Sequence, residues 1–186
     1  MNLYLTADTH FNHTNMLSYC NRPFKSVLDM NERLIANINS RCKKEDFLWN
    51  IGDFMLTKSS QAEVEHSYEC LITAINPQIG FIKGNHDERN KIKNTLLYAT
   101  IQFSHFKYLL LHIPPTSKAW NKKYSFLLPH VDCILCGHVH NAWKWLIYDY
   151  GYGKIPIINV GVDVWNYHPV KIDELNVLFM RTKKQL

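Results

Sequence analysis

Four short segments of this chain carry side chains able to hold metal ions: Asp8-Thr9-His10, Gly52-Asp53, Gly84-Asn85-His86-Asp87 and Gly137-His138-Val139-His140. Their carboxylates, imidazoles and carboxamide are oxygen and nitrogen donors suited to divalent first-row metals. No thiol belongs to the set, which disfavours a structural zinc knot built on cysteine. Polar residues at strand ends also cap helices and shape turns. That reading accounts for one such segment and poorly for four, each following a short apolar run.

Those apolar runs are the elements that must position the motifs. Residues 3–7 read as a buried strand delivering Asp8, 47–51 as a second ending at Gly52-Asp53, and 79–82 as a third ahead of Gly84. Residues 108–111 deliver His112, and 133–136 lead into Gly137-His138. Between them, Ser26 precedes Leu34, Ile35, Ile38 and Cys42 at helical spacing, with Asp29 in a variant of the capping box. A second helix should start near Ser60, with Glu63 completing its cap and Val64, Tyr68, Leu71, Ile72 and Ile75 as its buried stripe. Residues 143–148 and 155–160 read as strands paired across the Tyr150-Gly151-Tyr152-Gly153 turn, while 172–180 fits either a helix or a strand. Open α/β sheets bind ligands outside the carboxyl ends of their strands, and five strand ends here carry candidate groups. With no repeat, linker or low-complexity stretch, one domain over residues 1–186 is expected.

Composition agrees. A chain of 186 residues that is 46% hydrophobic suits a globular domain with a real core, and 13% aromatic residues argue against disorder. No apolar stretch approaches the roughly 20 residues needed to span a bilayer. A secretory signal is not expected, because the first strand and motif occupy the first ten residues. The cysteines, 20, 42, 70, 133 and 136, are odd in number and scattered, which favours reduced thiols in a cytoplasm. The net charge of +5 suits an anionic substrate, and Arg181, Lys183 and Lys184 read as a solvated basic tail.

In order from residue 8 to residue 140, the series D-x-H, G-D, G-N-H-D, an isolated His after a strand and G-H-x-H resembles the calcineurin-like metallophosphoesterase superfamily. Small size and the Arg22-Pro23-Phe24 segment resemble its compact bacterial and phage members. The resemblance implies an α/β fold, a sandwich of two mixed β-sheets flanked by helices in four αββα layers. It implies that Asp8, His10 and His140 bind one divalent ion, that Asn85, His112 and His138 bind a second, and that Asp53 bridges both. His86 would face the substrate and protonate the leaving oxygen. His105 competes with His112, although His112 directly follows its strand and precedes Pro114-Pro115, which would turn the chain at the site.

The implied ligands contribute two formal negative charges, from Asp8 and Asp53, so two divalent ions leave a centre of about +2 that suits a phosphate oxyanion. Ions about 3.5–4 Å apart would generate a bridging hydroxide as nucleophile, with His86 as general acid. Manganese, iron, zinc and nickel all fit the mixed donors. After Asp53 comes Phe54-Met55-Leu56, without the acidic residue and Arg-Gly that phosphoprotein phosphatases carry there, and the chain lacks the length for DNA-capping domains. A phosphodiesterase acting on cyclic nucleotides or nucleic-acid ends is the expectation, with a phosphomonoesterase or small nuclease as alternatives. A non-catalytic protein-binding scaffold is the alternative of another class, disfavoured because every ligand type and His86 are present. No membrane association is expected, and the sequence sets no oligomeric state.

Around the motifs, His13 and Arg22 are the candidate substrate contacts. A guanidinium at Arg22 could hold phosphate oxygens in a fork, or be solvated. Lys118, Lys122 and Lys123 read as solvated. Trp120, Tyr124 and Trp143 could stack on a base, although aromatics near a loop are more often satellite core. Cys133 and Cys136, three apart in a strand, point to opposite faces and belong to core packing. Asp87 could orient a loop or a histidine, and a purely structural role fits equally well.

Overall fold

Two five-stranded sheets pack against each other in the computed structural model, which describes residues 1–57, 60–88, 90, 92–120 and 122–184. In the first, β1 (Leu3–Thr6), β2 (Phe47–Ile51), β3 (Gln78–Ile82) and β4 (Thr95–Leu96) run parallel, and β10 (Val170–Lys171) pairs antiparallel with β1. In the second, β5 (Ala99–Phe103), β6 (Phe106–Leu110), β7 (Cys133–Cys136), β9 (Lys154–Asn159) and β8 (Trp145–Asp149) follow one another; β6, β7 and β9 are parallel and the edges antiparallel. The β8–β9 hairpin turns at Tyr150-Gly151-Tyr152-Gly153 as expected, with Gly151 at φ 89°.

Alternation along the strands sorts side chains between layers. Leu5, Ala7, Ile51 and Ile82 face Tyr108, Leu110, Cys133, Leu135 and Ile158 between the sheets. Tyr4, Leu48 and Phe81 face outward, into a cluster with Met16 of the short α1 (Met16–Tyr19), Met30, Leu34 and Ile38 of α2 (Val27–Arg41) and Leu71 of α3 (Gln61–Ala74). Both helix starts are capped as the sequence indicates. Ser60 and Glu63 form a capping box, while at Ser26 the shorter Asp29 carboxylate accepts from Lys25 N at 2.8 Å instead of closing on the cap itself. The outer face of the second sheet is covered by a 3-10 stretch, Lys122–His130, and by Trp120, Tyr124, Tyr148 and Tyr150.

The ambiguous segment is a helix, α4 (Ile172–Lys183), whose Ile172, Leu175 and Phe179 enter the core between the sheets. Asp173 and Glu174 in its first turn and Arg181 and Lys183 in its last complement the helix dipole. The basic tail is therefore not simply solvated: Lys183 Nζ lies 4.8 Å from the Phe106 ring centroid and 3.9 Å from Asp132. Strands β4, β5 and β10 went unannounced in the sequence. His105 sits exposed in the turn between β5 and β6, away from the motifs. Cys133 and Cys136 do face opposite layers, and all five cysteines are free. No helix among the described residues is long and apolar enough to cross a membrane.

Candidate metal centre

The carboxyl ends of β1, β2 and β3 meet those of β6 and β7, and the motif loops remain pinned beyond the last paired residues. Asp8 N donates to Gly52 O at 3.0 Å, His10 N to Asp53 O at 3.0 Å, and Gly137 N to His112 O at 3.1 Å. Within these loops Asp8 (φ 56°), His10 (φ 49°), Asp53 (φ 55°), His138 (φ 72°) and His140 (φ 47°) all adopt the left-handed backbone. That conformation costs a non-glycine residue roughly 1–2 kcal/mol. It persists only where surrounding structure over-determines it, as happens at functional sites. Two glycines make the close approach feasible: a Cβ on Gly84 would overlap the Asp53 carboxylate and amide, and one on Gly52 (φ 88°) would overlap the His112 ring.

Seven side chains converge there. Donor atoms of Asp8, His10 and His140 lie within 4.8 Å of one another, as do those of Asp8, Asp53 and His112. Asp8 belongs to both groups, and Asp53 Oδ2 reaches toward a histidine of each, 3.5 Å from His10 Nε2 and 3.3 Å from His112 Nε2. Asn85 Oδ1 lies 3.2 Å from His112 Nε2 and 3.0 Å from His138 Nδ1. Hydrogen bonds fix the ring orientations: His112 Nδ1 faces Ile51 O at 2.8 Å and His140 Nδ1 faces Asp163 Oδ2 at 3.2 Å, turning each Nε2 to the centre. His10 Nε2 is buried with no hydrogen-bond partner. A buried imidazole nitrogen without a partner is costly in a folded protein, and a divalent cation would satisfy it. With two buried carboxylates alongside, the donor set fits such ions.

Electrostatics follow the same geometry. Burial pushes the His10 pKa well below its ordinary value and lowers His138 to about 4, helped there by the His112 charge. Both rings are thus held neutral, the form that offers a lone pair to a metal. Burial alone would raise Asp53 and lower His112, but their mutual hydrogen bond and charge prevail, driving Asp53 below the usual carboxylate range and His112 up to about 9.

His86 is different. Its side chain is 39% exposed, its Nε2 is 3.9 Å from Asp53 Oδ2, and its ring stands 5.3 Å from that of His10. Its backbone N–H donates to Asp53 Oδ1 at 2.9 Å, which places the ring at the mouth of the centre. His13 lies beside it, ring centroids 6.2 Å apart, with Nδ1 3.3 Å from His10 Nδ1.

Arg22 is not at the mouth. It is 4% exposed, and its guanidinium is fully engaged: Nε and Nη2 donate to the two Asp163 oxygens at 2.8 and 2.9 Å, Nη2 to Asp8 O at 2.7 Å, and Nη1 to Thr9 O at 2.9 Å. Neither reading made from the sequence, phosphate fork or solvated cation, describes it; the fork grips Asp163, and the same guanidinium donates directly to the carbonyls of the loop holding Asp8. Asp163 itself was missed. Burial would raise its pKa, but the bonds from His140 and Arg22 outweigh that and lower it. The available signal was Gly161-Val162-Asp163, which follows the apolar run 155–160 as the four motifs follow theirs. Asn159 was missed too; its Nδ2 donates to His140 O at 2.7 Å and Trp143 O at 3.0 Å. Asp87 orients the loops, accepting from the backbone N–H of Gly84, Asp53 and Phe54 at 2.7, 2.9 and 3.0 Å. Cys20, His140 and Asp163 also cluster, but burial pushes the Cys20 thiol up to about 11 and Asp163 is committed to Arg22, so this group suits a metal poorly. Lys118, Lys122 and Lys123 are exposed, and Trp143 joins the outer core.

The family model for the calcineurin-like phosphoesterase superfamily domain matches residues 1–171. An uncharacterized protein of Methanocaldococcus jannaschii is 34% identical over 181 residues, covering 97% of this chain and 93% of the relative. Among solved structures, a protein of unknown function from Aquifex aeolicus superposes with a TM-score of 0.72 at 23% identity, covering 95% of this chain and 98% of the other, and so shares the fold. A structure described as a novel archaeal phosphodiesterase matches at a TM-score of 0.45 and 16% identity, over 87% of this chain and 84% of the other. By the domain match and by the extent of its likeness to the Methanocaldococcus protein, the chain belongs to the calcineurin-like phosphoesterase superfamily.

Proposed function

We propose that this chain is a dinuclear metal-dependent phosphodiesterase. Family and donor chemistry support a metal-dependent phosphoesterase in general; the two-ion centre and the diester substrate are our reading. Asp8, His10 and His140 would hold one ion and Asn85, His112 and His138 the other, with Asp53 shared. The observation that carries this is Asp53 Oδ2 standing 3.5 and 3.3 Å from an imidazole nitrogen of each group while His10 Nε2 has no other partner. Manganese, iron, zinc or nickel would serve. When bound, two such ions supply a nucleophile at neutral pH and neutralise the charge gathering on phosphate.

The chain's own residues supply the rest. A ring N–H of His86, exposed at the mouth and held by its backbone bond to Asp53, would protonate the leaving oxygen. His13, on the same side, would line the path of the leaving group. Arg22 and Asp163 would keep His140 turned toward the ions. With the Arg22 cation spent inside the protein, the fixed charge that a monoester dianion would draw on is not offered from that position, and a diester's single charge asks less of the site. Cyclic nucleotides and nucleic-acid ends are the natural substrates of this class.

A screen of each metal against bis-p-nitrophenyl phosphate, p-nitrophenyl phosphate and cyclic nucleotides, with His86→Ala as control, tests the proposal. The expected result is metal-dependent turnover with a higher kcat/KM for diesters. A strong monoester preference would convert it to a phosphomonoesterase. A metal-loaded protein that turns over no ester would favour the scaffold reading.

A further inference from the structure

A cavity of about 360 Å³ opens beside the second ligand group, and Asn85 and His112 form part of its wall. The rest is mostly apolar and aromatic: Leu97, Leu111 and Ile113, with Trp120 and Tyr124 as an aromatic side, their ring centroids 5.9 Å apart and their planes inclined at 54°. Trp120 and Tyr124 also pack on the outer core, which explains their presence but not the space they leave open toward the ligand group. Among the described lining residues, Lys83 and Glu88 pair with each other at 3.2 Å, and His112 Nε2 is paired with Asp53 Oδ2 at 3.3 Å. Among the described lining residues, a second phosphate would find no cation without a carboxylate partner. A flat, uncharged ring would find apolar surface on several sides, at a volume suited to a small ligand group.

We infer that this cavity is a subsite for a planar aromatic substituent, a nucleobase or aryl ring, of a phosphoester whose phosphate lies at the metal centre. The inference rests on the phosphoesterase reading of that centre and adds which ester group goes where. His86, the residue assigned to the leaving oxygen, neighbours His10 and His13, and none of these three lines the cavity. The leaving group therefore departs on the His86 side, and the cavity, on the Asn85 and His112 side, receives the substituent that stays on phosphorus. Specificity for the retained group would reside in Trp120 and Tyr124, which lie outside the metal-binding motifs.

The first test is binding to the manganese-loaded protein, comparing thymidine 5′-monophosphate with inorganic phosphate by calorimetry. The nucleotide should bind about tenfold to a hundredfold more tightly, the usual return on stacking one base against an aromatic side chain. Trp120→Ala should bring the ratio of the two affinities toward one; if that variant fails to fold, Tyr124→Ala should reduce the same ratio. The second test holds the leaving group constant, comparing kcat/KM for methyl p-nitrophenyl phosphate with that for the p-nitrophenyl ester of thymidine 5′-monophosphate. The nucleoside ester should be favoured by a similar factor, chiefly through KM, and the variants should erode that factor. Phosphate binding with no gain from the nucleoside, or a ratio untouched by both variants, overturns the subsite alone. A metal-loaded protein that does not bind phosphate overturns the reading of the metal centre, and the subsite with it.

Discussion

Asp8, His10 and His140 sit against a buried network in which Arg22, Asp163 and the Asp8–Thr9 backbone satisfy one another, whereas Asn85 and His112 border an open cavity and Asn85 Oδ1 joins the His112 and His138 rings. One half of the centre is fixed from behind by charge-assisted bonds. The other is fixed by the sheet, through the His112 Nδ1 contact to Ile51 O, and leaves its outer side free. The contrast suggests a division of labour: the Arg22 side preserves the geometry of the ions, and the Asn85 side accommodates the ester.

The largest effect should come from the residue that belongs to neither half. His86→Ala should keep its metals and lose about 10²–10⁴-fold in turnover of diesters with poor leaving groups. The loss should shrink with a p-nitrophenolate leaving group, which hardly needs a proton; equal losses on both would argue against the acid role. Arg22→Ala strands the Asp163 carboxylate in the interior, and breaking a buried pair in this way typically costs about 3–5 kcal/mol. Thermal denaturation should show Tm lower by on the order of 10 °C. Asp163 has a lowered pKa in the folded chain, so its share of the stability is fully present above the unfolded carboxylate pKa and is lost only as pH falls through the folded value. The Tm difference should accordingly persist at both pH 6 and pH 8, somewhat smaller at pH 6, where protonation of His140, whose pKa Asp163 raises, partly compensates the stranded carboxylate. A difference that vanished between those values would detach Asp163 from the pair.

Asp163→Asn sharpens the comparison further. Loss of an outer hydrogen-bond partner of a ligating histidine usually weakens metal binding about 10–100-fold, and here it should do so at one ion only. Metal titration should then show one weakened and one unchanged site; equal weakening of both would mean that the halves are not independent. His13→Ala should have the smallest effect, a few-fold rise in KM with kcat retained, because the ring borders the site without being placed as ligand or acid. A large fall in kcat would give His13 a role in the chemistry.

What was legible in the sequence was local or periodic. Motif residues directly follow apolar strands, and the caps at Ser26 and Ser60 lie three residues from their partners, so both could be read from spacing. Cys133 and Cys136 fell on opposite faces because a strand alternates. Arg22 was misread because its partner is 141 residues away, and no local pattern distinguishes a buried guanidinium from a solvated one. The left-handed backbone at Asp8, His10, Asp53, His138 and His140 was equally hidden, since aspartate and histidine do not announce it as glycine does. Strand β5, with its alternately half-buried and exposed residues at a sheet edge, carries too weak an apolar signal to stand out.

The central claim is that one carboxylate, Asp53, joins two metal sites. Elemental analysis of the wild-type chain and of Asp53→Asn, each loaded with manganese and freed of excess, tests it most directly. Two ions per wild-type chain and reduced occupancy of both sites in Asp53→Asn are expected. Two ions fully retained by Asp53→Asn, or a single ion in the wild type, would contradict it.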